Sequence, residues 1–130
     1  LDFQNGAIGT IITSFDIWAH HLPGIEIYGT EGSMTVPDPN TFGGTVEVKR
    51  SNNKDWHSIP LTHAYAENSR GLGVADAAVA IRNDTPQRTS SDLTHHVLEI
   101  MHGIHISAET GQRYDLKTPG VRPEAFPTTF

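Results

Sequence analysis

Residues 25–40 read Ile-Glu-Ile-Tyr-Gly-Thr-Glu-Gly-Ser-Met-Thr-Val-Pro-Asp-Pro-Asn, and this stretch decides the fold. Two short segments of alternating character, residues 24–28 and 33–36, flank a Gly-Thr-Glu-Gly turn, which is typical of a β-hairpin. The Pro-Asp-Pro-Asn sequence then ends the hairpin, because proline cannot donate a hydrogen bond to a strand ladder. Residues 45–50 and 56–61 repeat the pattern across a polar tip. Strands joined in this way predict an antiparallel sheet.

The N-terminal segment shows a similar alternation. Residues 1–4 alternate, Asn5-Gly6 predicts a type I′ turn with two positive φ angles, and residues 7–16 are expected to form a long strand. Residues 17–23 have no clean period and end in proline, so they are expected to be an irregular connector. Near the C-terminus, residues 113–116 predict a short strand and residues 118–130 an extended arm.

Two helices are predicted between these regions. Residues 73–82 carry apolar side chains at helical spacing, and a second helix begins after Ser90 or Ser91 and stops at Gly111. Its apolar stripe consists of Leu93, Val97, Ile100, Met101, Ile104 and Ala108. The predicted fold is α+β, an open-faced, mostly antiparallel sheet with two helices packed on one face. The other face would be left apolar, and a second subunit is its simplest cover.

Composition narrows the class of protein. The length of 130 residues fits one domain, residues 1–130, and a net charge of −6 with nine scattered basic residues argues against nucleic acid as a partner. No apolar run approaches the roughly 20 residues of a membrane span. The absence of cysteine is compatible with a cytoplasmic protein. Because the chain opens at Leu1 inside an apparent strand, we expect its N-terminus to be truncated.

Histidines are the first candidates for chemistry. Four of the eight, His95, His96, His102 and His105, fall on the second helix, where they form either a solvated or domain-facing row or part of a metal site. His20 and His21 instead lie in the connector, next to Trp18. There they either contact a ligand, since imidazole can donate to or accept from a hydroxyl group, or merely cap the end of the sheet.

A second candidate segment leads into the first helix. Residues 68–73, Asn-Ser-Arg-Gly-Leu-Gly, are either an anion-attracting approach to a helix N-terminus, with Arg70 as donor, or a plain helix entry. Asp76, one turn further on, is expected to interact with the helix dipole. The sequence contains no GxxxxGK[ST], GxGxxG or GxSxG motif, and no catalytic residue is assigned.

Three blocks, residues 14–32, 68–76 and 96–101, together resemble the C-terminal domain of the glucose–fructose oxidoreductase, inositol dehydrogenase and MocA-like (Gfo/Idh/MocA) family. The resemblance implies the substrate-binding and oligomerisation domain of an NAD(P)-dependent oxidoreductase acting on a sugar, inositol or similar polyol. It places substrate contacts at His20 and His21 and a second substrate wall around residues 65–70, with Tyr65 and Arg70.

The resemblance also implies what lies outside this chain. NAD or NADP would be held by a separate nucleotide-binding domain, since the dinucleotide fingerprint, the family's Glu-Lys-Pro segment and its Asp-x-x-x-His pair are absent from the sequence. Residues 1–130 alone are therefore expected to be inactive and to form a homo-oligomer through the open sheet face. Two other hypotheses stay open: a stand-alone sheet module for binding or assembly without catalysis, and a histidine-dependent metalloprotein.

Overall fold

The computed structural model describes residues 1–67 and 70–128, and the fold class is α+β, as predicted. Its antiparallel sheet has the strand order β1-β2-β3-β4. The strands are β1 (Ile25–Gly29), β2 (Gly32–Val36), β3 (Val46–Arg50) and β4 (His57–Ile59). The helices are α1 (Leu72–Asn83) and α2 (Ser91–Thr110), and a short 3₁₀ helix, Pro39–Thr41, follows β2.

Both predicted hairpins are confirmed to within about two residues at each end. In the first, Ile25 pairs with Val36 and Gly29 with Gly32, which leaves a two-residue turn at Thr30 and Glu31. In the second, β3 pairs with β4 across the polar tip. The contacts between elements are concentrated between these neighbouring strands, so the sheet is held together mainly by its own ladder.

The register divides the sheet into an apolar and a polar face, because successive side chains on a strand point to opposite sides. One row across the apolar face is Ile27, Met34, Val48 and His57. The apolar face also carries Ile25, Val36, Val46 and Ile59. Ile27 is still 49% exposed and Ile59 47% exposed. The side chains that would form the core of a covered sheet are therefore only half-buried.

Local capping sets the ends of both helices. Ser90 precedes α2 with its hydroxyl accepting from the Leu93 N–H at 3.1 Å, and Gly111 ends the helix at φ 65°. Asp84 ends α1 in the same left-handed conformation. The predicted apolar stripe on α2 is not buried within the described residues, since Val97, Met101 and Ile104 are 43–57% exposed. Among residues 1–67 and 70–128, no helix combines the length and apolar content that a membrane span requires.

Two predicted strands are wrong. Residues 7–16 form no strand. Only residues 7–9 pair with residues 1–3, through an isolated bridge between Asp2 and Ile8 and backbone hydrogen bonds that join Phe3 to Ala7 and Leu1 to Gly9. Residues 113–116 also lack strand structure. The Tyr114 ring lies against Gly103 of α2 and its hydroxyl donates to Glu99 at 3.2 Å, while Arg113 pairs with Asp2 and Asp115. Alternation indicates which side chains would share a face of a strand, but it does not supply the partner strand.

The turn at Asn5-Gly6 also differs from the prediction. Gly6 has φ 87°, but Asn5 is not among the residues with positive φ, so a type I′ turn is excluded. Instead the Gly6 N–H donates to the Phe3 carbonyl and the Phe3 N–H to the Ala7 carbonyl, both at 2.9 Å. This is the pattern of a tight turn followed by a glycine bulge.

The chain after α2 folds back along that helix. A Cβ on Gly103 would lie 2.7 Å from the Tyr114 ring, so only glycine leaves room for the ring at this point. One turn earlier, Glu99 accepts hydrogen bonds from the backbone N–H groups of Lys117 and Thr118, each at 2.8 Å, and from the Thr118 hydroxyl. His96 Nδ1 lies 3.0 Å from the Thr118 carbonyl oxygen. We call residues 118–128 the C-terminal arm.

The cluster of donors changes the acidity of Glu99. The Thr118 hydroxyl and then the Lys117 N–H stabilise the carboxylate and lower the pKa of Glu99 from 4.5 to about 2. A carboxyl group whose pKa is lower in the folded than in the unfolded state stabilises the fold above the unfolded pKa. That contribution is therefore complete above pH 4.5 and is lost as the pH falls towards about 2.

We expect Glu99→Gln to remove this part of the acid dependence. The measurement is the denaturant midpoint of both proteins at a series of pH values. The wild-type midpoint should fall more steeply than that of the variant between about pH 4.5 and pH 2, because only the wild type has a carboxylate at position 99 whose pKa the surrounding donors lower. Glu109→Gln, at an exposed position of the same helix, is the matched control. Parallel curves for wild type and Glu99→Gln would contradict the assignment.

Candidate functional site

Three loops meet at one end of the sheet. The connector, residues 17–23, leads through Gly24 into β1 at Ile25, which pairs with Val36 at the end of β2. The first residue of β3, Val46, pairs with Ile59 at the end of β4. The connector, the β2–β3 loop and the segment that follows β4 therefore all leave the sheet at this end, which we call the connector end.

The β2–β3 loop is built around a rigid turn. The Asp38 carboxylate accepts from the Asn40 N–H at 2.9 Å, and the Asp38 carbonyl accepts from the Thr41 N–H at 3.0 Å and from its hydroxyl at 2.6 Å. Pro39 fixes the first helical position. Phe42 follows with φ 66°. We call residues 38–43 the Asp38 turn.

The Asp38 turn holds Arg70 in place. Arg70 Nη2 donates to Asn40 Oδ1 at 2.8 Å, and its guanidinium carbon lies 5.5 Å from the centre of the Phe42 ring. Such a distance is typical of a cation–π contact. Arg70 is exposed, yet two contacts fix its orientation, so the planar group is preorganised with further N–H donors available to a ligand.

One close backbone approach and one at ordinary van der Waals distance place the other loops beside the same turn. A Cβ on Gly43 would lie only 2.5 Å from the Ala66 carbonyl oxygen, and a Cβ on Gly24 would lie 3.9 Å from Asp38 Cα. His21 is three residues before Gly24, which limits their separation to about 11 Å of extended chain. The predicted residues of the connector and Arg70 therefore belong to one end of the molecule.

The two connector histidines have different environments. His20 Nδ1 lies 3.2 Å from the Leu22 carbonyl oxygen, so this ring is held by its own loop. His21 is exposed, and the neighbouring Trp18 is fully exposed. Of the pair, His21 is the one whose ring nitrogens have no described local contact and can reach a ligand.

Tyr65 is placed differently from the other predicted residues. Its ring stacks on His63 at 6.1 Å between ring centres and meets Phe126 edge-on at 5.6 Å. The Tyr65 hydroxyl oxygen is buried. The structure therefore brings the Tyr65 segment to the connector end but covers the side chain with the C-terminal arm. The predicted segment 68–73 begins outside the described residues, which resume at Arg70.

An ion pair that the sequence did not indicate lies next to this region. Asp76 is almost fully buried, and its carboxylate accepts from the Arg88 guanidinium and from the Arg88 N–H, the latter at 3.1 Å. Asp76 was expected to interact with the helix dipole, and that is wrong, since its carboxylate is taken up by Arg88. Asp76 and Ala80, which lie one turn apart, are the buried residues of this face of α1. Their helical spacing is the one signal of the face that the sequence contains.

The helix histidines are not assembled with acidic groups into a metal-binding cluster. Among the described residues, no three His, Asp or Glu side chains come together with the spacing that a metal ion needs. His96 is instead occupied with Thr118 of the arm, with Nδ1 at 2.9 Å from the hydroxyl oxygen.

The chain was compared with known protein families, curated proteins and solved structures. No protein-family model, curated protein or solved structure matches the chain. The geometry of the connector end and the three sequence blocks are therefore the features that bear on function.

Proposed function

We propose that this chain is the substrate-binding and oligomerisation domain of an NAD(P)-dependent oxidoreductase acting on a sugar, inositol or similar polyol. The observation that carries the proposal is the convergence of three loops on the Asp38 turn, which unites the connector with a preorganised Arg70. In the Gfo/Idh/MocA-like family that the sequence resembles, the corresponding segments are expected to contact substrate. The α+β sheet domain is also the fold that the resemblance implies.

The chemistry of the exposed groups suits a polyhydroxylated ligand. A hydroxyl group is both donor and acceptor, and neutral imidazole offers one of each, so His21 can bind a hydroxyl in either sense. Arg70 offers only donors, in a fixed plane, and binds oxygen acceptors of the same ligand. Trp18, which is fully exposed and three residues before His21 in the chain, provides an apolar surface in the same connector.

In this proposal the nicotinamide cofactor is not bound by residues 1–130. The loop into α1 has no glycine-rich phosphate-binding sequence, and the sheet is antiparallel, whereas dinucleotide sites use a strand–turn–helix unit of a parallel sheet. In the proposal the cofactor is therefore held elsewhere in the same protein. The role of this chain is to bind and orient the substrate.

Oligomerisation is supported by the total surface that the chain exposes. The chain exposes 11198 Å². A compact monomer of 14.2 kDa exposes about 6,800 Å². The difference exceeds the roughly 1,200–2,000 Å² that a standard interface buries. The apolar sheet face, with Ile27 and Ile59 half-exposed, is the surface that we assign to a second subunit.

The same exposed face favours one alternative, a stand-alone sheet module that assembles or binds a partner without catalysis. Binding or assembly through the sheet face does not require Arg70 to be held in a fixed orientation at the connector end. Cofactor-dependent turnover of a polyol by the whole protein separates the two functions.

We expect His21→Ala to raise the KM for substrate about 3- to 12-fold in the whole protein that carries this chain, which corresponds to one lost hydrogen bond. The cofactor dissociation constant should be unchanged, because the connector is assigned to substrate alone. His105→Ala, on the exposed surface of α2, is the matched control. Weaker cofactor binding with an unchanged KM would show that the connector has been assigned to the wrong ligand.

A further inference from the structure

The end of the C-terminal arm is fastened at three points. Arg88 Nε donates to the Ala125 carbonyl at 3.2 Å, and its guanidinium carbon lies 5.3 Å from the centre of the Phe126 ring. Two residues later, the Thr128 carbonyl accepts from the Ala64 N–H at 3.1 Å. The arm thus joins the segment that precedes α2 to the segment that follows β4.

Phe126 is the residue that covers Tyr65. The two rings meet edge-on at 5.6 Å, and the Tyr65 hydroxyl oxygen is buried. Tyr65 is one of the predicted substrate contacts, and its segment lies against the Asp38 turn through Ala66 and Gly43. In this arrangement a ligand at the connector end cannot reach the Tyr65 hydroxyl.

The contacts that hold this end of the arm can break without unfolding the rest of the chain. Residues 119–125 are exposed and form neither helix nor strand, and segments with few buried contacts are the first to detach from a fold. The arm is held more firmly at Thr118, where Glu99 and His96 bind it. Arg88 keeps its buried partner Asp76 when Phe126 leaves, so opening does not leave a buried charge unpaired.

We propose that residues 119–128 are a lid over Tyr65, hinged where Thr118 is bound to α2. The lid is closed in this structure, and its opening exposes the Tyr65 hydroxyl to substrate at the connector end. This inference depends on the proposed function for the identity of the ligand. The movement itself can be tested without any ligand or turnover.

The first test measures the accessibility of Tyr65 by nitration with tetranitromethane, with the modified residues identified by mass spectrometry. Phe126→Ala should raise the nitration rate of Tyr65 about 2- to 12-fold, the population shift expected when one aromatic pair is lost. The rate at Tyr28, which is exposed, is the internal standard, and Phe3→Ala is the matched control. Equal rates at Tyr65 in wild type and Phe126→Ala would overturn the lid.

The second test closes the lid covalently. The chain contains no cysteine, and the hydrogen bond between residues 64 and 128 makes Ala64→Cys with Thr128→Cys the natural pair for a disulfide. Oxidation should suppress nitration of Tyr65 and weaken polyol binding to the whole protein, and a reducing agent should restore both. Unchanged nitration on oxidation would refute the lid. Suppressed nitration with unchanged polyol binding would refute its role in substrate access.

The two tests also separate this inference from the proposed function. Nitration rates report the lid in the absence of substrate, so they decide the movement whether or not the protein oxidises a polyol. A protein that turns over no polyol with either cofactor refutes the proposed function and leaves the nitration result standing.

Discussion

Replacing Arg88 by Ala is expected to lower the free energy of unfolding by about 3 kcal/mol, because it leaves the buried Asp76 carboxylate without its partner. Removing one member of a buried pair costs roughly 3–5 kcal/mol. The lower end applies here, since the Arg88 side chain is 31% exposed and water can partly solvate the site. The measurement is denaturant unfolding of wild type and variant under identical conditions.

Two further variants sharpen this experiment. Arg122→Ala, at an exposed position of the C-terminal arm, should change the free energy of unfolding by less than about 0.5 kcal/mol. Arg88→Lys keeps the charge but loses the planar fork that contacts both Asp76 and the Ala125 carbonyl, so an intermediate loss is expected. If Arg88→Ala were as stable as Arg122→Ala, the ion pair would not be a support of the fold.

The second large effect concerns Arg70. In the whole protein, Arg70→Ala should raise the KM for substrate about 10- to 150-fold, equivalent to the roughly 1.5–3 kcal/mol of a hydrogen bond to a charged group. The fixed orientation imposed by Asn40 and Phe42 is the reason to expect a value in this range, since the guanidinium does not need to be ordered on binding. Steady-state kinetics at saturating cofactor give the KM directly.

The control for Arg70 uses the opposite end of the sheet. Arg50 pairs with Gly32 beside the β1–β2 turn and is exposed there, so Arg50→Ala tests for a general effect of losing one positive charge. Its KM should remain within about twofold of wild type, as expected for a surface substitution away from the site. An equal rise in KM for Arg50→Ala and Arg70→Ala would mean that overall charge, and not a contact, is being measured.

The sequence predicted the elements that depend on local patterns. Both hairpins and both helices lie where alternation, turn residues and capping residues placed them, because these signals act within a few residues of the chain. Residues 7–16 had the same alternation but form no strand. Pairing is non-local, and alternation says which side chains share a face without saying which strand, if any, lies alongside.

The sequence predicted which loops form the candidate site, but not the contacts that hold them together. The strand order places the segment before β1, which carries His21, and the segment after β4, which carries Arg70, at the same end of the sheet. The contact that orients Arg70 joins it to Asn40, 30 residues away, and the Arg88–Asp76 ion pair also joins distant positions. Such pairs depend on how loops pack, and no local spacing in the sequence encodes them.

The C-terminal arm shows the same limit most clearly. Three prolines in residues 118–128 predicted an extended segment correctly. Its docking was not predicted, because it depends on a helix face, with His96 and Glu99, that pattern analysis treats as polar and solvated. Proline-rich composition indicates stiffness of a segment, not the surface on which it lies.

The most direct test of the central claim is a kinetic assay of the whole protein with a panel of sugars, inositols and related polyols. The formation of reduced nicotinamide from NAD and from NADP is followed for wild type, His21→Ala and Arg70→Ala. The account predicts turnover of at least one polyol, with the KM raised in both variants and the cofactor dissociation constant unchanged. Cofactor reduction with no member of the panel, or variants that lose cofactor binding while keeping the substrate KM, would contradict it.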